Sequence, residues 1–206
     1  MYNKLVAYSV KTLPITLIWD RELSKVAVTP DWETVWENIS ISSKNLAHQL
    51  IHFKLSHRFD ATPLRRFQMK IVADPIFQAC ASGVTGTYLH MFWECPKIVT
   101  FWQFVVTAMG SLLGVAVPRF PEVLLLADDS LLMLTSHSRK LFLAGMMAAK
   151  KTILKEWMEQ SISFSSVWLD YVYDLILERS MARLHSASAG TMAAWDVSVD
   201  QVAQLF

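Results

Sequence analysis

Apolar residues in this chain recur at three- and four-residue intervals over most of its length, a period that leaves room for little except helices. Thr29-Pro30-Asp31 reads as a helix start, with a cap, a proline at the first helical position and an acid in the first turn, leading into Trp32, Trp36 and Ile39. Ser42 or Ser43 can cap a second helix in which Leu46, Leu50, Phe53 and His57 share one stripe, ending before Thr62-Pro63. Leu64 to Lys70 reads as a short third helix with Arg65, Arg66 and Lys70 exposed. Gly83 and Gly86 mark a turn, and Pro96 opens a long apolar helix through Phe101, Trp102, Val105, Met109 and Leu112 that stops near Gly114. Residues 120–126 form either a connector or a single helical turn. The strongest pattern spans Ser138 to Glu159, and another follows from about Ser166 to Leu184. The expected fold is mainly α: a compact domain of about seven helices over residues 29–184, after an N-terminal arm (1–28) and before a frayed tail (185–206).

The composition suits a packed core, with 53% hydrophobic residues and eight tryptophans. A formal net charge of +1 gives no broad attraction to nucleic acid or acidic lipid, so any basic footprint must be local. The apolar run from Val115 to Leu126 is broken by Pro118, Arg119, Pro121 and Glu122, well short of the ~20 residues a bilayer requires. The first residues carry no convincing cleavage site. The expectation is an intracellular protein, cytoplasmic or nuclear, with no membrane partner.

Both cysteines, Cys80 and Cys95, lie in the segment ACASGVTGTYLHMFWECP with His90 between them. Thiolate and imidazole are zinc donors, and this spacing occurs in small zinc modules. The alternative is two buried thiols behaving as small hydrophobes around a core histidine.

Wider runs carry a resemblance. QLIHFKLSHRFDATPLRRFQMK, then HMFWECPKIVTFWQFV, VLLL and LAGMMAAKKTILKEW together resemble, from roughly Trp19 to Trp195, the C-terminal region of LINE-type non-LTR retrotransposon reverse transcriptase polyproteins. That family's motif reads Cys-x2-Cys-x9-His-x4-Cys. Cys80, His90 and Cys95 match its last three places, and Phe77 stands at the first. The resemblance implies a zinc-knuckle-like loop over residues 75–96, degenerate because phenylalanine ligates nothing. Asp74, His57 or Glu94 would have to supply a fourth ligand, or Phe77 would hold the turn by apolar packing.

Lys54, His57, Arg58, Arg65, Arg66 and Lys70 form the candidate nucleic-acid contacts. Lys54, His57 and Arg58 lie at helical spacing, and Phe53, Phe59 and Phe67 are interleaved as stacking surfaces. The other reading makes the phenylalanines core and the charges a solvated helix face. Lys150, Lys151 and Lys155 read as a solvated helix surface, and Asp170 and Asp174 as surface acids. Leu126-Ala127-Asp128-Asp129 imitates a polymerase metal-binding signature but lacks its structural context, and reads as a turn or cap.

No catalytic constellation is present at sequence level. The resemblance implies a non-catalytic accessory module that binds RNA or target DNA beside polymerase regions of the parent polyprotein, in a truncated and decayed copy, with no small-molecule substrate. The reading from another class is a helical protein–protein interaction scaffold with no nucleic-acid role.

Overall fold

The computed structural model describes residues 14–24, 29–43, 45–80, 83–156 and 164–184. The expected tail at 185–206 lies outside these residues. Among the described residues there are eight α-helices: α1 Pro14–Leu23, α2 Trp32–Ile41, α3 Leu46–Ser56, α4 Pro63–Gln68, α5 Pro96–Leu113, α6 Pro121–Leu125, α7 Ser136–Glu156 and α8 Phe164–Leu184. One π-helical turn, His90–Glu94, precedes α5. Among the described residues there is no strand, and a single isolated bridge joins Ile76 to Thr85. The mainly helical architecture agrees with the periodicity.

Helix starts use the expected cap chemistry, but α2 begins later than its sequence suggests: Asp31 and not Thr29 is the cap, and Pro30 precedes the helix. Asp31 caps α2 by accepting from the Glu33 and Thr34 amides, Asn45 caps α3, and Thr62 caps α4 with Pro63 just inside. Pro96 opens α5, and Gly114 closes it in the left-handed conformation at φ 66°. The cap of α3 is two positions beyond Ser43, the nearer of the two residues expected from sequence, and Ser42 instead ends α2.

Helix α7 is the centre of the molecule. Residues 141–150 are buried on every side, and α7 packs against α3, α5, α6 and α8. Leu141, Phe142, Leu143, Met146, Met147 and Ile153 each contribute ~1.5–3 kcal/mol by leaving water. The close approach of α5 depends on Gly145, because a Cβ there would stand 2.6 Å from Met109 Sδ.

Within the expected N-terminal arm lies a core element. Trp19 and Leu23 of α1 are fully buried, and Trp19 Nε1 donates to the Ser56 carbonyl at the end of α3. Tyr88 meets Trp19 edge-on at 5.8 Å between ring centroids.

Helix α3 packs the opposite way from its apolar pattern. Leu46, Leu50 and Phe53 do share a face, but it is the outer one: they are 76%, 46% and 39% exposed. The buried face carries His48, His52, Leu55 and Ser56. Leaving two leucines and a phenylalanine outside forgoes ~1.5–3 kcal/mol for each that could have been fully buried. The polar side is retained because its groups have partners across the interface: Asp174 for His48 and Lys150 for His52.

The turn at Leu126–Asp129 is a latch. Asp128 Oδ2 accepts from the Asp31 amide at 2.8 Å, and Asn38 Nδ2 donates to the Ala127 carbonyl and to Asp129 Oδ1 at 2.8 and 2.7 Å. Arg139 pairs with Asp129 at 2.8 Å. These bonds fasten α2 to the α6–α7 connection, consistent with reading the two aspartates as a turn.

Candidate functional site

The cysteine–histidine segment is built in three pieces. First comes a reversal that brings residues 75–80 against residues 83–86, in which Phe77 donates its amide to the Val84 carbonyl and Gly86 donates to the Pro75 carbonyl. Cys80 sits in this reversal, its amide donating to the Phe77 carbonyl. Second comes the π-helical turn, which begins at His90 and ends when the Cys95 amide donates back five residues to the His90 carbonyl at 2.9 Å. Third comes α5, which Cys95 immediately precedes. Lys97 Nζ donates to the Ala79 carbonyl, fastening the reversal to α5.

Folding brings Cys80, His90 and Cys95 together: their ligating atoms all lie within 4.8 Å of one another, and all three residues are buried. This group can hold a metal ion. A tetrahedral zinc with bonds of 2.0–2.3 Å separates neighbouring ligand atoms by roughly 3.5 Å, a spacing that falls inside the limit within which these three atoms lie. His90 Nε2 is buried with no hydrogen-bond partner, the state of a ring nitrogen that metal coordination or a small shift would satisfy. Among the described residues no fourth His, Cys, Asp or Glu joins the group. His57, one of the substitutes considered from sequence, is committed to an aromatic stack elsewhere. Phe77 stands beside His90, buried, with ring centroids 5.9 Å apart in an edge-on contact. Burial raises the Cys95 thiol above its ordinary pKa and the Cys80 thiol adds to this, while the Lys97 and Ile98 backbone groups oppose it.

The basic candidates divide. Lys54, Arg65, Arg66 and Lys70 are exposed, and His57 is half-buried. Arg58 departs from the expectation that it shares an outward face with Lys54 and His57. Helix α3 stops at Ser56 and Arg58 takes φ 53°, so helical spacing no longer sets its direction. Its guanidinium lies 3.8 Å from the Trp19 ring centroid and 5.1 Å from that of Tyr88, and it pairs with Glu22 at 2.8 Å. Arg58 is therefore an internal clamp between α1 and the α3–α4 turn. Arg65 Nη1 donates to the Arg58 carbonyl.

Around the outer end of α3 the rings make a ladder. Trp32 stacks on Trp36 at 5.4 Å, Trp36 meets His57 at 5.1 Å, and His57 stacks on Phe53 at 4.0 Å. Phe59 lies nearly parallel to Phe53 and His57, at 6.0 and 6.1 Å. Phe67 is also exposed but takes no part in these contacts.

Two expectations about surface charge are corrected. Lys150 is fully buried, its Nζ 3.1 Å from His52 Nδ1, because the α7 residues flanking it are core on every side. Burial drives the Lys150 amine well below its ordinary pKa. Burial does the same to the His52 imidazole, helped by the Lys150 charge. Asp174 is also buried, 3.2 Å from His48 Nε2 and 3.6 Å from Lys151 Nζ. Ser43 joins this cluster through Glu178 and, at 3.4 Å, His48 Nδ1. Lys151 is half-buried by this pairing, and Lys155 alone of the three lysines is exposed. The polar spacing of His48, His52 and Ser56 along α3 was the sequence signal for this interface.

No known protein-family model matches the chain.

Proposed function

We propose that this chain is a non-catalytic nucleic-acid-binding accessory module of a retrotransposon reverse transcriptase polyprotein, as its resemblance implies. One observation carries the reading: the segment holding Cys80, His90 and Cys95 is joined directly to the helix that presents two exposed cations, Arg65 and Arg66. The Leu64 amide of α4 donates to the Gly86 carbonyl at 3.2 Å, and Gly86 lies so close to Pro63 that a Cβ would stand 2.6 Å from its ring. Stiffening the reversal therefore fixes Arg65 and Arg66, both on α4, and Lys70 two residues beyond it. Lys54, at the end of α3, extends the same basic set. Cations held in place lose less side-chain freedom on meeting phosphates, and they act locally in a chain of net charge +1.

The ion we infer at the three ligands is zinc, for which two thiolates and an imidazole are ordinary donors. It would cross-link the reversal to the start of α5, and with Phe77 at the fourth corner it would bind more weakly than a four-ligand site. Zinc per purified chain, measured for wild type and Phe77→Cys, tests this: the variant should hold zinc through dialysis that strips the wild type. Equal retention would defeat the ligand-count argument.

The test of function is titration of single-stranded RNA at several salt concentrations. Lys54→Ala/Arg65→Ala/Arg66→Ala should weaken binding and flatten the salt dependence; unchanged affinity and slope would eliminate the basic set. A second reading, a protein–protein interaction scaffold, is favoured by the outward apolar stripe Leu46, Leu50 and Phe53. It stands if wild type binds no RNA or DNA at low salt.

A further inference from the structure

We propose that the ring ladder at the outer end of α3 is a stacking platform that selects unpaired nucleic acid, with Phe59 and Phe53 as its contact rings and Trp36 and His57 as its backing. This inference rests on the nucleic-acid reading and names its substrate class as single strand.

The argument begins with what holds the rings outside. Leu46, Leu50 and Phe53 face solvent because α3 uses its other side for His48 and His52, whose partners sit on α8 and α7. Phe53 is thus kept at the surface by a polar interface on the far side of its own helix. Phe59 is 58% exposed just past the end of α3, where its amide donates to the Lys54 carbonyl. The three planes of Phe53, His57 and Phe59 agree within 24–27°, so the rings present a common orientation instead of the edge-on mixture found in the core. Trp36, 5.1 Å from His57, and Trp32 behind it are partly buried against the core and brace the stack.

Charge complementarity identifies the occupant. Lys54 lies next to Phe53 in sequence and is exposed, and Arg65 reaches the carbonyl of Arg58, the residue before Phe59. Of the acids near this turn, Glu22 is neutralised by Arg58, and Asp60, next to Phe59, accepts from the Tyr88 hydroxyl at 3.3 Å. Parallel exposed rings bordered by cations suit a polyanion whose bases are free to stack, since every base offers a π-face and every nucleotide a phosphate. Duplex nucleic acid offers the phosphates but keeps its bases stacked inside.

The experiment uses fluorescence anisotropy with a labelled 12-nucleotide RNA and its duplex, against the full chain, Phe53→Leu/Phe59→Leu and Arg65→Gln/Arg66→Gln. Leucine retains apolar surface and removes the ring, and thermal melting with circular dichroism verifies that each variant is folded. The phenylalanine variant should lose about tenfold or more in single-strand affinity, with unchanged duplex affinity and unchanged salt slope. The arginine variant should weaken both ligands and lower the single-strand slope by about 1.4, or ~0.7 for each lost phosphate contact. A phenylalanine variant that binds single strand as tightly as wild type, or weakens on both ligands equally, overturns the platform while leaving the basic module intact. Absence of any binding by wild type removes both.

Discussion

Replacing Lys150 with methionine should stabilise the protein at neutral pH, and the gain should shrink as pH rises. Lys150 is fully buried, its amine meets His52 Nδ1 at 3.1 Å, and burial alone depresses its pKa. The unfolded chain carries this amine as an ordinary lysine, protonated up to about pH 10.4. Between the depressed folded value and the ordinary one, the unfolded state binds one more proton than the folded state, so stability rises with pH at about 1.4 kcal/mol per unit. Below that window both states are charged and folding carries the full cost of burying the cation; above it both are neutral and that cost vanishes. Methionine has a similar length and no proton, so its variant lacks this slope. It leaves His52 Nδ1 without its partner, a loss of ~1–3 kcal/mol that subtracts from the gain at every pH. Urea unfolding followed by tryptophan fluorescence at half-unit steps from pH 7.5 to 10 measures the effect as the difference between wild type and variant, in which contributions common to both proteins cancel. The wild-type curve should climb toward the variant's at about 1.4 kcal/mol per pH unit just below pH 10. A difference that stays flat across this range would mean that Lys150 remains charged in the folded protein and would refute the reasoning.

Other perturbations test separate contacts. Arg58→Ala removes a cation–π contact on Trp19 and an ion pair to a partly exposed Glu22, and should cost about 2–3 kcal/mol in urea unfolding, with Arg58→Lys recovering little of it. Asn38→Leu breaks both Asn38 hydrogen bonds of the α2 latch and leaves the Ala127 carbonyl and Asp129 short of a donor, for a loss of ~2–3 kcal/mol by the same measurement. Gly86→Ala drives a Cβ against Pro63 and should lower stability by about 1–3 kcal/mol in thermal melting, whereas alanine at Gly110, where the nearest atom is 3.3 Å away, should be milder.

The parts of the fold written in local chemistry were legible. Pro63 and Pro96 open helices where prolines should, Gly114 ends one, and the run 141–149 announces a buried helix by its composition. The convergence of Cys80, His90 and Cys95 could also be anticipated from their spacing. What escaped depends on partners distant in the chain. Nothing near Lys150 in sequence reveals that His52 will face it from 98 residues away, and Asp174 becomes buried through His48 and Lys151 on two other helices. Arg58 escaped for a backbone reason: at positive φ beyond the end of α3, helical arithmetic assigns it the wrong side. The inversion of α3 has the first cause, since hydrophobicity favours one face and two distant polar groups, Asp174 and Lys150, determine the other.

The π-helical turn has a consequence for how this segment tolerates changes of length. In a regular α-helix, residues five apart are separated by about 140° around the axis and residues four apart by only about 40°. The amide bond from Cys95 back to His90 absorbs that extra residue by local widening. Deleting Trp93, which is only partly buried where Met91 and Phe92 are core, would let the helix regularise while keeping the thiol roughly one turn from the imidazole. Single-residue gaps should therefore be accepted between these two positions, whereas a gap between Cys80 and His90 would have to be absorbed by the reversal at Gly83 or would pull the cysteine away.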